Sequence, residues 1–135
     1  MLYISGIHAL NLTCSLETCG DWHQSGICWD RLNLYDSDKS IFGEYGIEKD
    51  KYIPFLNETY NVANHIRALL DLLEQGHFTV AGGMRDDFIC NDKYNEEIFY
   101  KVLLLKNKSH WEKVDAFMKK EYKSDWLEFK KRAGI

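Results

Sequence analysis

The chain has 135 residues, 45% of them hydrophobic and 14% aromatic, which is enough apolar side chain for one core and too little chain for two. We expect a single domain over residues 1–135 and exclude a disordered chain. A formal net charge of −4 gives no support to nucleic-acid binding, and no apolar run approaches the roughly 20 residues of a membrane helix.

The charge is unevenly spread. Residues 1–57 hold 4 Lys and Arg against 8 Asp and Glu, residues 58–93 hold 3 against 6, and residues 94–135 hold 10 against 7. The basic tail reads as a solvated lysine-rich helix face or as a surface for a polar partner. The N-terminus lacks the basic residues and apolar stretch of a secretory signal, so a cytoplasmic location and reduced cysteines are expected.

In chain order, residues 1–12 have the β-branched and aromatic content of a buried strand, broken by Gly6. Residues 13–26 form a loop carrying Cys14, Cys19, Trp22 and His23. Ile27, Trp29, Leu32 and Leu34 nearly alternate, which predicts a strand with a bulge near Asp30 and Arg31, ended by Asp36, Ser37 and Asp38. One short strand is assigned within residues 41–56.

Val62, Ile66, Leu69, Leu70 and Leu73 fall on one helical stripe, which predicts a helix from Thr59, capped by Thr59 or Asn57 and closed at Gly76. Residues 78–81 read as a strand or a hinge. Asp92 begins a helix through Ile98, Val102 and Leu105, with Asn107 as its stop. Ser109 and Glu112 have capping-box spacing for a helix bearing Trp111, Val114, Phe117 and Met118. A last helix over residues 124–132 ends in Lys130, Lys131 and Arg132, where cations meet the negative end of the dipole. The expected fold is α+β, a small N-terminal sheet packed by three to four C-terminal helices.

The densest reactive cluster is Cys14, Cys19, His23 and Cys28, spaced Cys-x4-Cys-x3-His-x4-Cys. It lacks the close Cys-x2-Cys pair that aims two thiolates at one ion, so neither zinc nor any other cofactor is assigned. Two chemistries remain open for the loop. A thiol of Cys14, Cys19 or Cys28 could be activated by His8 or His23. Alternatively, Asp21 could orient His23 for acid–base work, with Trp22 and Trp29 walling off solvent and Trp22 available for binding. Arg67, near Asn64 and His65, and Arg85, after Gly82 and Gly83, are candidates for holding an anion; pairing of Arg85 with a carboxylate of the chain is the alternative. No phosphate-binding glycine loop, dinucleotide fingerprint or His-Glu-x-x-His helix is present.

The run from His8 through Asn11 and from Cys14 to His23, together with Met84 to Asp92, resembles small bacterial proteins of mobile-element and toxin–antitoxin neighbourhoods. The resemblance carries no established motif and implies no catalytic residue. Its implication is a defence or addiction module; within one, we expect a protein-binding component of a toxin–antitoxin or phage-conflict pair with a protein partner, the acidic balance speaking against nucleic acid. The alternative is a small enzyme using the loop of residues 8–28. Charge segregation and the lack of a complete catalytic signature favour the first; the polar residues crowded near His23 favour the second.

Overall fold

A computed structural model describes residues 1–21 and 27–135, so Trp22 and His23 lie outside the described residues. Two small antiparallel sheets occupy the N-terminal half and helices dominate the C-terminal half, an α+β arrangement. Strand β1 (Leu2–Tyr3) pairs with β2 (Tyr35–Asp36), Tyr3 opposite Tyr35. Strands β3 (Ile47–Ile53) and β4 (Glu58–Ala63) form a hairpin whose register shifts between Glu48 and Lys51. Ile4 sews the two sheets together. Its N–H donates to Asn61 O, and its carbonyl accepts from Ala63 N–H, both at 2.8 Å.

The expected strand over residues 1–12 is cut short. Gly6 takes a φ of +59°, and a Cβ there would stand 3.0 Å from the Tyr35 hydroxyl. A side chain would be strained on both counts. The chain turns at this point into helix α1 (Gly6–Leu10), which packs on the central helix. The expected strand over residues 27–35 shrinks to β2 because β1 offers it only two residues of partner. Upstream, Trp29–Arg31 is a single 3₁₀ turn, and Trp29 meets Phe55 and His8 edge-on at centroid distances of 4.8 and 4.9 Å.

The central helix, α2 (His65–Glu74), starts later than its stripe suggests. Thr59 and Val62 belong to β4, where β-branched side chains suit the pleat. The cap is Asn64: its Oδ1 accepts from Arg67 N–H at 2.9 Å. Gly76 does mark the end, with His77 N–H donating to Leu72 O at 2.8 Å. Ile66, Leu69, Leu70 and Leu73 are completely buried, each contributing on the order of 2 kcal/mol of transfer free energy. Helix α2 therefore runs through the interior, and whatever its polar residues touch is held rigidly.

Residues 78–81 form the short helix α3 (Phe78–Ala81), followed by a π-helical segment, Met84–Ile89. Asn91, rather than Asp92, caps the next turn, accepting from Lys93 N–H at 3.2 Å. Helix α4 (Asn95–Val102) follows. Helix α5 (Trp111–Tyr122) begins without the Ser109–Glu112 box. His110 sits at its start instead and hydrogen-bonds Leu73 O at 2.9 Å, satisfying a carbonyl at the end of α2. Lys123, at φ 53° and ψ −126°, separates α5 from α6 (Ser124–Arg132). Phe99, Tyr122, Trp126 and Phe129 join these helices in one aromatic cluster, with centroids 4.9–5.8 Å apart. No helix among the described residues is long and apolar enough to cross a membrane.

Candidate functional site

The loop after α1 runs across the N-terminal end of α2. Asp21 N–H donates to Leu10 O at 2.8 Å and Gly20 N–H to Phe88 O at 2.9 Å. Ser15 N–H and Oγ both donate to Glu48 of β3, at 2.8 and 2.7 Å. The Tyr94 hydroxyl accepts Glu17 N–H at 2.9 Å, and Asn91 Nδ2 donates to Glu17 O at 3.1 Å. These side-chain anchors replace the ladder that a strand would have supplied.

Within this frame Cys14, Thr18 and His65 lie in line. Cys14 Sγ is 3.6 Å from Thr18 Oγ1, and Thr18 Oγ1 is 2.6 Å from His65 Nδ1. On the far side of the ring, His65 Nε2 is 2.7 Å from Leu12 O. A carbonyl can only accept, so Nε2 carries the proton of the neutral ring and Nδ1 is the free base. Thr18 then donates to Nδ1 and accepts from the Cys14 thiol. The arrangement is a two-step path for the thiol proton onto imidazole.

The electrostatics favour that transfer. Burial opposes ionisation of Cys14, but the neighbouring His65 side chain and backbone, then Thr18 and Leu16, outweigh it and bring the thiol down to about 7. Burial likewise disfavours a charged His65, yet its bonds with Cys14 and the Leu12 carbonyl raise its pKa. His65 is 3% exposed, whereas Cys14 is half-buried. Gly20 leaves room for the ring: at φ +72°, a Cβ there would stand 2.8 Å from both His65 Cε1 and Leu10 O, and 3.1 Å from Nε2.

The other sequence candidates go elsewhere. Cys19 is joined to Cys90 in a disulfide, which corrects the expectation of reduced thiols and removes Cys19 as a free nucleophile; Cys14 and Cys28 are the free cysteines. Asp21 accepts from Asn11 Nδ2 at 3.2 Å. His8 Nε2 lies 3.0 Å from Cys28 O, against Trp29. His23 and Trp22 are outside the described residues.

Arg67 and Arg85 do not share a cleft. Arg67 is wholly buried; it pairs with Asp71 at 2.8 Å and donates to Tyr3 Oη and to the carbonyls of Gly43 and Tyr45. Asp71 also accepts from Tyr3 and Ser5 hydroxyls at 2.7 and 2.6 Å. This network floors a surface cleft of about 370 Å³ between Tyr35, Lys39 and His77, but its charged groups are already committed to one another. Arg85 pairs with Asp125 at 3.2 Å and lies 3.6 Å from Asp92, so it binds carboxylates of the chain itself.

His65 is the residue of this cluster that the sequence placed in other company. It stood beside Arg67 as part of an anion site, whereas its partner Thr18 lies 47 residues away. No family model, no characterised protein and no solved structure matches this chain.

Proposed function

We propose that this protein is a small thiol enzyme, with Cys14 as nucleophile and His65, acting through Thr18, as its base. The observation that carries the reading is the line Cys14–Thr18–His65–Leu12 O, in which a base faces the nucleophile and a third group orients the base. The reaction class it suits is acyl transfer. The Cys14 thiol proton passes through Thr18 to His65 Nδ1, and the thiolate bonds to a carbonyl carbon as the C=O pair moves onto oxygen. When that pair returns, the leaving group departs with the proton from His65. Water then cleaves the thioester, His65 taking its proton, and the thiol is restored. A cytoplasmic location belongs to this proposal as well: it would keep Cys14 a thiol, with the exposed Cys19–Cys90 bond closed only when that compartment is oxidised.

The test is p-nitrophenyl acetate with the purified protein. A stoichiometric burst of nitrophenolate is expected, with the acetyl group on Cys14 by peptide mass spectrometry, no burst in Cys14→Ser and one about tenfold slower in His65→Ala. Equal acetylation of Cys14 and Cys28, unaffected by His65→Ala, would overturn the reading.

A second reading, a binding role in a bacterial toxin–antitoxin or phage-conflict module, draws on a groove between α3 and α5. It is lined by Phe78, Ala116 and Phe117 and edged by Lys113 and Lys120, with Val80 exposed nearby. Mixing with the product of the adjacent gene tests it: a complex lost in Ala116→Arg supports this reading, and co-elution unaffected by that variant counts against it.

A further inference from the structure

Three consecutive residues meet at the His65 ring. Thr18 holds Nδ1, Gly20 packs against Cε1 and Nε2, and Cys19 between them is bonded to Cys90. Cys90 ends the π-helical segment in a left-handed conformation, φ 56° and ψ 22°. The same segment supplies Phe88 O, which accepts Gly20 N–H at 2.9 Å. One covalent bond and one hydrogen bond therefore clamp residues 18–20 between the π-segment and the ring.

Cys19 and Cys90 are both exposed, while His65 is buried. A reductant in solution reaches the S–S bond without opening the core, and exposed disulfides are the labile, regulatory kind. Other anchors would keep the loop near the body once that bond opens. Glu17 N–H still reaches Tyr94, and Lys93 still pairs with Glu17. Ser15 still binds Glu48, and Asp21 N–H still donates to Leu10 O. What the bond adds is local: the placement of Thr18 and Gly20.

Resting on the reading of Cys14 and His65 as a reactive pair, we infer that the Cys19–Cys90 disulfide is a redox latch on that pair. Closed, it holds Thr18 and Gly20 on the His65 ring and keeps Cys14 reactive; open, it releases them. Opening is thiol–disulfide exchange with a dithiol. One reductant thiolate attacks a sulfur of the pair and the S–S bond breaks, leaving a mixed disulfide; the second reductant thiol resolves it. Two electrons and two protons end on Cys19 and Cys90, and the reductant leaves as its cyclic disulfide.

The test is the pH profile of Cys14 alkylation by iodoacetamide, followed by peptide mass spectrometry on the full chain. Oxidised protein, protein reduced by dithiothreitol and freed of it under nitrogen, and Cys90→Ser are compared. Among the described residues, the charged group besides Cys14 that acts on the His65 ring is Lys51 of β3, which donates to Thr13 O and to Glu48; it makes no bond to the disulfide. In oxidised protein the midpoint is expected near 7. Reduction or Cys90→Ser should move it toward the ordinary thiol value of about 8.5 and slow alkylation at neutral pH about tenfold.

Identical low midpoints in oxidised and reduced protein would overturn the latch and leave the Cys14–His65 pair standing. An ordinary midpoint in the oxidised protein would overturn the pair, and the latch with it. Circular dichroism of the same samples closes the remaining route: loss of the fold on reduction would show the bond to be a structural staple, and the latch would fall. Should Cys90→Ser not fold, the comparison of oxidised and reduced wild type decides alone.

Discussion

Helix α2 carries two polar clusters within two turns, and they serve opposite ends. Arg67 and Asp71 are an i, i+4 pair with almost no exposure, and every partner they have is inside the protein. His65, two residues before Arg67, is also buried, but its hydrogen-bond line ends on a half-buried cysteine. A buried charged network whose members satisfy one another is a closed structure, costly to break and inert toward ligands. A buried base whose line ends on an accessible nucleophile can move a proton when something arrives. The two differ in where the last partner sits.

The largest effect expected from this comparison is at the closed network. Arg67→Ala should destabilise by about 3–5 kcal/mol in urea melts, because Asp71 is left buried without its cation. A loss below 1 kcal/mol would break the contrast by showing the network to be dispensable. Leu69→Ala, a purely apolar change on the same helix, should cost about 2–5 kcal/mol and calibrates the first value. Gly20→Ala should cost about 1–3 kcal/mol, from the strained φ and the push on His65. It should also slow alkylation of Cys14; a stable variant with unchanged alkylation would show that Gly20 does not position the ring.

The smallest effect expected is at the reactive cluster. The folded state holds Cys14 near 7, below its unfolded value of about 8.5, so the thiolate contributes stability in full above the unfolded value. That contribution is lost as the pH falls through about 7. Cys14→Ala should therefore cost about 1 kcal/mol at alkaline pH, the figure allowing for partial exposure, and close to nothing at pH ~6. A difference that grew on acidification would contradict the sign of the shift.

Much of the helical half was legible in the sequence. Ile66, Leu69, Leu70 and Leu73 repeat at helical spacing because one face of α2 must be apolar to sit in the core, and that repeat needs no knowledge of the rest of the fold. Val62 shares the spacing by coincidence. Its residue is fixed by pairing with β3, a contact that a one-dimensional pattern does not contain. The N-terminal region misled for a related reason. Strand content over residues 1–12 was real, but a strand extends only as far as its partner, and β1 has two partner residues.

The site was half legible. Cys14 stood out by residue type in a polar loop, as one of several thiols. His65 did not stand out as its proposed base, because Thr18 and His65 meet only after the loop folds over the end of α2, and Cys19 and Cys90, 71 residues apart, only after the π-segment forms. A cysteine four residues before a threonine, and a histidine just after an asparagine cap, are the local signals. Nothing in their spacing pairs them.

Thiolate absorbance measures directly whether His65 ionises Cys14. In Cys28→Ser with the Cys19–Cys90 bond intact, Cys14 is the one free thiol, so its ultraviolet titration needs no assignment. A midpoint near 7 is expected, rising to about 8.5 when His65→Ala is added. A midpoint of about 8.5 both with and without the imidazole would contradict it.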